Sequence, residues 1–393
     1  MKSLLAELNM RYFNSANGLT RINSMKILEI ITSLSSGGGE RFVVDLCNEL
    51  STFQTCEVEL LTIKDDTLHD YGFYKNELSQ SVKYTCLKEN KFTLKTPLKV
   101  YRSIQKSNPD IVHIHLAGAL NMVIFSILTN RKPLYVQTLH GRADKQYNGK
   151  FEYLLKKWLY KNKWLKLITI AKNNDDSFAS IFNTNSNGII YNGRGKLISF
   201  NINEVKKEIN AYKTDENTIV ITHVARYHHE KNQELLIKSF NQIISQGANA
   251  ILLIIGNGYD SEKGKILQSM ACDKIFFLGL KKNVGDYLNN SHAFILSSLN
   301  EAMPISLIEA LACRCIPLST PVSGSVDIIQ NGKNGFISKD FTLQSFTDML
   351  NEFLQNYTQI NREDLKSFYD NNLSMKKCAE KYLTFFTTQL NKS

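Results

Sequence analysis

Two cationic residues in the second half of the chain have side chains and a spacing that could serve in anion binding and catalysis. Arg226 and Lys231 stand five residues apart, directly after the apolar run TIVITHVA. If that run is a strand and a helix begins near Lys231, both side chains lie at the carboxyl edge of a parallel sheet, where α/β folds bind ligands. A guanidinium fork and an ammonium could then clamp a diphosphate and stabilise charge on a phosphate leaving group. The alternative is a pair of solvated loop cations.

Two carboxylates form a second candidate pair. Glu301 follows the apolar run HAFILSS, and Glu309 lies in ISLIEALA, a helix for which Pro304 is expected near the first position. A carboxylate within such an apolar helix needs a hydrogen-bond donor, and paired ribose hydroxyls would be suitable. The alternative is an acid interacting with a helix dipole and a solvated glutamate.

Three glycine-containing segments follow predicted strands. SSGGGERFVVDL opens a helix, and its glycines would let backbone N–H groups approach an anion. Gly256 and Gly258 end another strand, where a side chain would block approach to a cleft. PVSGSVDIIQNGKNGFI could offer N–H groups to phosphate, and its Asp327 could receive a hydroxyl. Each segment has a plain turn as its alternative, and none matches the dinucleotide or Walker A fingerprint.

Apolar runs and helical patterns that alternate from Met25 onward must position these residues. The runs are KILEII, VELLTI, DIVHIH, LYVQTL, LKLITIA, TIVITHVA, ANAILLIIG, DKIFFLG, HAFILSS and CIPLST, with a polar pause over 192–218. Strand, helix, strand at this spacing predicts parallel sheets. We therefore predict an α/β protein with two doubly wound Rossmann-like domains facing a cleft. The predicted parts are an extension over 1–24, domains over 25–205 and 206–372, and a closing helical segment over 373–393.

Composition limits the class of protein. The 393 residues are 43% hydrophobic and 21% charged, which is typical of globular chains with more than one domain. The longest apolar stretch spans about ten residues, where a membrane span needs about twenty, and the first 24 residues lack a secretory apolar core. Seven cysteines without paired spacing indicate reduced thiols and a cytoplasmic location. The net charge of +10 favours anionic partners, but no aromatic-basic motif supports nucleic acid.

The order and spacing of these segments resemble the retaining GT-B glycosyltransferases of family 4. The resemblance runs from about Met25 to Ile337, and its most specific part is the series VAR-x-x-x-x-K, GNG, FLG, the E-x7-E pair, EALACRCIPLST and NGKNGF. GGGERFVVDLCNEL looks like the amino-terminal loop and helix of the family. LHGR looks like its T-H-G segment and IIYNGRG like its interdomain stretch. EAMPISLIEA is nearest to the bacterial capsule, exopolysaccharide and lipopolysaccharide enzymes.

The resemblance implies roles for most of these residues. A nucleoside-diphosphate sugar would be held mainly by the second domain, the first domain would take the acceptor, and the last helix would cross back onto the first domain. Arg226 and Lys231 would bind the diphosphate, Glu309 the ribose, and Glu301 the donor sugar. His140 would lie beside the sugar, which completes a catalytic set of His140, Arg226, Lys231 and Glu301. The remaining donor-binding positions are Gly38, Gly39, Gly256, Gly258, Ile305 and Ser306.

Three positions depart from the family pattern. Ala302 replaces a usual glycine and could crowd the sugar, Asp327 stands where a glutamate is common, and Leu139 replaces a threonine. No D-x-D occurs in the chain, and Cys313 and Cys315 form only a C-x-C without a second pair. We therefore expect neither a metal nor a bound cofactor, with Arg226 and Lys231 taking the role that a divalent ion has in other glycosyltransferases, so that EDTA leaves activity intact.

One helical pattern raises the question of membrane association. In KFEYLLKKWLYKNKWLK an apolar stripe faces mostly away from four lysines; the stripe is Phe151, Leu154, Leu155, Trp158 and Leu159, and the lysines are Lys156, Lys157, Lys161 and Lys163. A core-facing helix with a solvated basic face explains this pattern. The alternative is peripheral docking at the inner face of an anionic membrane, which would suit a lipid-linked acceptor.

The sequence thus favours a cytoplasmic, metal-independent hexosyltransferase that moves a sugar onto a glycan or lipid-linked acceptor in bacterial surface polysaccharide synthesis. One rival function is a GT-B-fold epimerase acting on the sugar nucleotide. The other is a non-catalytic subunit that binds a sugar nucleotide or a partner transferase. His113 and His115 share one face of DIVHIH and could reach the cleft, although hydrogen-bonded strand-end histidines are the favoured interpretation.

Overall fold

Two parallel six-stranded sheets form the framework of the protein. The computed structural model describes residues 24–197 and 199–392. Of the predicted extension over 1–24, only Ser24 is among the described residues. The strand orders are β3-β2-β1-β4-β5-β6 and β12-β11-β10-β7-β8-β9. In each sheet the order in which the chain adds strands reverses, between β1 and β4 in the first sheet and between β7 and β10 in the second. This is the switch point at which doubly wound folds bind ligands.

The first sheet and its helices occupy the first half of the chain. In chain order the elements are β1 (Met25–Ile31), α1 (Gly38–Leu50), β2 (Cys56–Lys64), β3 (Lys83–Glu89), α2 (Thr96–Ser107), β4 (Ile111–His115), α3 (Ala117–Thr129), β5 (Leu134–Leu139), α4 (Lys150–Lys161), β6 (Lys166–Thr169) and α5 (Lys172–Phe182). Apolar strands such as β1 are buried on both faces because helices cover both sides of the sheet.

The second sheet repeats this plan. Its elements are α6 (Ile202–Tyr212), β7 (Ile219–Val224), α7 (Gln233–Ser245), β8 (Ala250–Ile255), α8 (Glu262–Ser269), β9 (Ile275–Gly279), α9 (Val284–Asn289), β10 (Ala293–Leu296), α10 (Ile305–Ala312), β11 (Ile316–Ser319), α11 (Ser323–Ile328), β12 (Phe336–Ile337), α12 (Leu343–Asn356) and α13 (Arg362–Asn372).

A final helix, α14 (Met375–Leu390), packs on the first sheet although it follows the second in the chain. Its Met375, Tyr382 and Phe386 are buried in the same apolar cluster as β1 and α1. The Tyr382 hydroxyl lies 2.9 Å from Thr138 Oγ1, at the end of β5. The two halves are therefore tied together by the returning chain as well as by contacts across the cleft.

The structure refines three local features of the sequence analysis. The boundary placed between residues 205 and 206 falls inside α6, whose Val205 and Ile209 are buried against β7 and β8, so this helix belongs with the second sheet. Pro304, expected near the first position of α10, is the residue directly before this helix. Strand β3 was not predicted because KYTCLKE is a polar edge strand without a continuous apolar run.

The apolar stripe of α4 faces the core only in part: Leu159 is fully buried, but three other members of the stripe are exposed. Phe151 is 81% exposed, Leu154 51% and Trp158 43%, whereas the opposite side carries the fully buried Lys156. Lys156 Nζ donates 2.6 Å to Glu152 Oε1 and also contacts the backbone carbonyl oxygen of Gln146. Because this ammonium is paired, it can be buried, and part of the apolar stripe on the other side of the helix lies in solvent.

Candidate functional site at the switch point of the second sheet

Lys231, Glu301 and Ser298 come together where β7 and β10 end. These strands are neighbours in the second sheet, and the loops that follow them leave its carboxyl edge side by side. Lys231 Nζ is in direct contact with Glu301 Oε1, and Ser298 Oγ donates to the same oxygen at 2.9 Å. Side-chain exposures of 27% for Lys231 and 15% for Glu301 place the pair in a recess. The topology thus joins a cation and an acid that are 70 residues apart in the chain.

Arg226 lies on the same edge with its guanidinium uncommitted. It is exposed, and its side chain forms neither a hydrogen bond nor an ion pair with any residue in 24–197 or 199–392. It faces Glu40 in the first turn of α1: burial raises the pKa of the Glu40 carboxyl, and the nearby charge of Arg226 opposes that rise. An arginine with free donors at this edge is suited to bind an anion.

The two glycines after β8 are needed by the protein itself. Gly256 has φ +152°, and a Cβ at this position would lie 2.0 Å from the carbonyl oxygen of Ala225. Gly258 has φ +86°, and its Cβ would lie 3.3 Å from Tyr227 Cβ. Both glycines let the loop after β8 pack against the segment that carries Arg226. They help to place the segment that carries this cation, and the expectation that a side chain here would block approach to the cleft stays a prediction.

Glu309 has an arginine partner that the sequence interpretation did not assign to it. Arg194 Nε donates 2.7 Å to Glu309 Oε1, and the same guanidinium contacts Asp45 Oδ2 in α1. Burial alone would lower the pKa of Arg194, but Glu309 and Asp45 hold it above its ordinary value. Glu309 Oε2 makes no hydrogen bond within the described chain and remains able to accept one. The arginine therefore fixes the carboxylate and links the two halves.

The glycine loop of the first domain lies directly opposite the start of α10. A Cβ on Gly38 would be 3.6 Å from Ile305 Cγ1, and a Cβ on Gly39 would be 3.9 Å from His140 Cγ. Ser306 is the next residue of α10 and is half-buried. The predicted donor-binding positions Gly38, Gly39 and Ile305, together with His140, are thus brought to one place, where the two sheets face each other.

His140 follows β5 and is hydrogen-bonded on one side only. Its Nε2 lies 2.9 Å from His115 Nδ1, whereas its Nδ1 is buried without a partner in the described chain. Burial, together with the nearby His115 and His113, lowers the pKa of His140 well below its usual range. The ring is therefore neutral near pH 7, with one nitrogen left for a ligand.

The three residues that depart from the family pattern make contacts that the structure identifies. Asp327 Oδ2 accepts the backbone N–H of Lys172 at 2.7 Å, across the cleft at the start of α5, so it joins the halves. Its role in receiving a hydroxyl stays a prediction. Ala302 packs against the core of the second sheet. Leu139 is buried in the core of the first sheet.

Comparison with known proteins identifies the family of this chain. Residues 36–175 match the model of Glycosyltransferase Family 4, and residues 204–372 match that of Glycosyl transferases group 1. The chain belongs to the family 4 glycosyltransferases. It therefore has the GT-B fold, in which two Rossmann-like domains face each other.

Individual relatives agree with this assignment. The glycosyltransferase is similar to the capsular polysaccharide biosynthesis glycosyltransferase CapH of Staphylococcus aureus, with 25% identity over 92% of this chain and 99% of the relative. It is 24% identical to an Escherichia coli UDP-Gal:alpha-D-GlcNAc-diphosphoundecaprenol alpha-1,3-galactosyltransferase over 65% of this chain and 69% of that one. The solved structure of Anabaena Alr3699/HepE in complex with UDP and glucose has a TM-score of 0.75, covering 93% of this chain and 100% of that chain at 16% identity.

Three residues of the site region were not identified from the sequence. Arg194 lies in the quoted stretch IIYNGRG and Asp45 in GGGERFVVDLCNEL, but their pairing crosses 149 residues. Glu29 lies within MKILEII and contacts His115. The available signal was a lone carboxylate inside an apolar strand, which needs a partner when it is buried.

The described part of the glycosyltransferase contains no helix long and apolar enough to cross a membrane.

Proposed function

We propose that the glycosyltransferase moves a sugar, with retention of anomeric configuration, from a UDP-sugar to a hydroxyl of a glycan or lipid-linked acceptor in surface polysaccharide synthesis. The observation that carries the proposal is the grouping of Lys231, Glu301 and the uncommitted Arg226 at the switch point of the second sheet. The choice of UDP and of a lipid-linked acceptor is supported by the names of the similar proteins. Retention rests on family membership.

The charges at this edge suit a departing diphosphate. Lys231 has three N–H donors, so it can keep Glu301 and still donate to a phosphate oxygen. Arg226 can add a bidentate contact because its guanidinium is not used elsewhere in the described chain. Together they would stabilise the charge that develops as the glycosidic oxygen leaves, which is the role a divalent ion has in metal-dependent transferases.

The acid residues would orient the rest of the donor. Glu301 is fixed by Lys231 and Ser298 and would accept a hydroxyl of the sugar. Glu309 is fixed by Arg194 and would accept the ribose hydroxyls through Oε2. Opposite them, His140 and the glycine loop would close over the sugar and limit access of water, so that the acceptor hydroxyl meets the anomeric carbon.

A screen of nucleotide sugars tests this function. Slow hydrolysis of one UDP-sugar, abolished or strongly reduced in Glu309→Ala, is the expected result. Product analysis without acceptor separates the rivals: an epimerase would return an epimerised nucleotide sugar, and a non-catalytic subunit would bind without turnover. Neither rival is favoured, because the similar proteins include named capsule and galactose transferases.

We also propose that α4 docks on an anionic membrane, which would bring the cleft to a lipid-linked acceptor. Phe151, Leu154 and Trp158 lie on one exposed side of this helix. Exposed lysines flank them at Lys150, Lys161 and Lys163. Apolar side chains at the centre with cations around them match the chemistry of an anionic bilayer surface.

Vesicle binding tests the docking surface. Changing Lys150, Lys161 and Lys163 to Gln should weaken co-sedimentation with vesicles containing anionic lipid by roughly tenfold or more, because each lysine contributes about 1 kcal/mol near such a surface. The matched control changes Lys206, Lys207 and Lys265, which are exposed lysines of the second domain. Equal loss in both triple variants, or no loss in the first, would argue against docking through α4.

A further inference from the structure

A buried hydrogen-bonded chain runs from the middle of the first sheet to its cleft edge. Glu29 lies in β1 opposite His113 of the adjacent β4, and both of them and His115 are fully buried. His115 Nε2 lies 2.6 Å from Glu29 Oε2, and His115 Nδ1 lies 2.9 Å from His140 Nε2. The last atom of the chain is His140 Nδ1, which has no partner in the described residues.

The separations within this cluster are shorter than those between two ligands of one metal ion. Glu29 Oε2 is hydrogen-bonded to His115 Nε2 at 2.6 Å, and it lies 2.8 Å from His113 Nδ1 without hydrogen-bond geometry. Two ligands bound tetrahedrally to zinc at about 2.0–2.1 Å would lie about 3.3 Å apart. The imidazoles therefore approach the carboxylate directly, and His113 is held from its other side by Thr138 Oγ1 at 2.8 Å.

The protonation of the chain follows from its surroundings. Burial opposes ionisation of Glu29, but the adjacent His113 and His115 outweigh it and lower the pKa of Glu29 to about 2. Burial lowers the pKa of His115 to about 4 and that of His140 well below its usual range. Near pH 7 the chain thus contains one carboxylate followed by two neutral imidazoles, each with a single N–H.

Only one arrangement of those two protons satisfies both hydrogen bonds. A carboxylate accepts and does not donate, so the proton of His115 lies on Nε2 and its Nδ1 is bare. The bare Nδ1 must accept from His140 Nε2–H, and this leaves His140 Nδ1 without a proton. His140 Nδ1, the nitrogen that remains free at the cleft edge next to Gly39, is thus a hydrogen-bond acceptor.

We propose that Glu29 and His115 are positioning residues that keep His140 Nδ1 as a hydrogen-bond acceptor for a hydroxyl of the donor sugar. The inference rests on the proposed function, since it assigns the sugar to this side of the cleft. A bare imidazole nitrogen accepts from a hydroxyl and cannot donate to a phosphate or carbonyl oxygen. His140 would therefore help select a sugar that has a free hydroxyl at this position, because an analogue without it leaves a buried acceptor unpaired.

Nitrogen NMR of ¹⁵N-histidine-labelled protein tests the tautomer without any substrate. The free wild-type chain should show His140 with an unprotonated Nδ1 and a protonated Nε2, the resonance being assigned with His140→Gln. His115→Asn should keep this tautomer, because its amide oxygen can replace the lost acceptor, whereas His115→Leu should give the other tautomer or a mixture. A protonated Nδ1 in the wild type would overturn the proposal even if neither variant folds.

Kinetics with UDP-glucose as the probe tests the consequence. His115→Leu should raise KM for hydrolysis about 3- to 10-fold, the range of one neutral hydrogen bond, and His115→Asn should restore most of the loss. UDP affinity should not change in either variant, because the contact is to the sugar. Equal loss of UDP affinity in both variants would show a merely structural role. If the wild type does not hydrolyse UDP-glucose, this sugar nucleotide is not the donor. The NMR experiment still tests the proposed tautomer of His140, because it needs no substrate.

Discussion

Replacing Lys231 with methionine should lower kcat for sugar transfer by about 10²–10³-fold, the scale measured when one donor to developing negative charge is removed. Methionine keeps the length and apolar part of the side chain but removes the charge that would meet the leaving diphosphate. The change also frees Glu301, which then keeps only Ser298 as a partner and loses its fixed orientation. Steady-state kinetics with saturating donor measures this effect apart from binding.

Lys238 provides the matched control for that experiment. It forms an ion pair with Glu234 on the exposed side of α7, the helix that directly follows the Lys231 loop. Lys238→Met removes a lysine and an ion pair from the same region, and exposed pairs of this kind contribute little. Its kcat should match the wild type. An unchanged kcat in Lys231→Met would show that this lysine does not stabilise the leaving group.

Glu309→Ala should weaken UDP binding by about 10- to 150-fold, which corresponds to about 1.5–3 kcal/mol for hydrogen bonds to a charged group. The structure leaves Oε2 available for ribose hydroxyls while Oε1 is held by Arg194. Calorimetry with UDP measures the effect directly. The variant should also be less stable than the wild type, because Arg194 is only 12% exposed and loses one of its two acidic partners.

The control for Glu309 is Glu363→Ala. Glu363 pairs with Arg314 in an exposed contact of the same domain, with a separation of 2.6 Å and side-chain exposures of 67% and 42%. Its loss should leave UDP affinity unchanged. Wild-type affinity in Glu309→Ala, measured on folded protein, would refute the ribose role and leave Glu309 as a structural partner of Arg194.

Much of the framework follows from sequence because buried parallel strands are continuous apolar runs. The ten runs identified as strands all contain strands, and the position of Arg226 and Lys231 after one of them predicts that both lie at the carboxyl edge of the second sheet. The edge strand β3 was missed because its sequence is polar. The boundary at 205 was wrong because α6 has few apolar residues, although two of them are enough to bury one side.

The unpredicted parts depend on contacts between distant segments. Arg194 joins Asp45 to Glu309 across 149 and 115 residues, and no local pattern specifies such a pairing. The orientation of α4 is set by the buried Lys156, a residue that polarity alone assigns to the surface. The pairing of Glu29 with His115 depends on β1 lying next to β4, which follows from the sheet order and not from either strand alone.

The central claim is that amino-acid cations, without a metal, hold the diphosphate. The most direct measurement compares the affinities of UDP and uridine by calorimetry in EDTA, for the wild type and for Arg226→Ala/Lys231→Ala. The claim predicts that the wild type binds UDP about 10²-fold or more tightly than uridine, since two charge-assisted contacts are added, and that the double variant loses most of this difference. Equal affinity for UDP and uridine in EDTA, with tight UDP binding restored only by Mg²⁺, would contradict it.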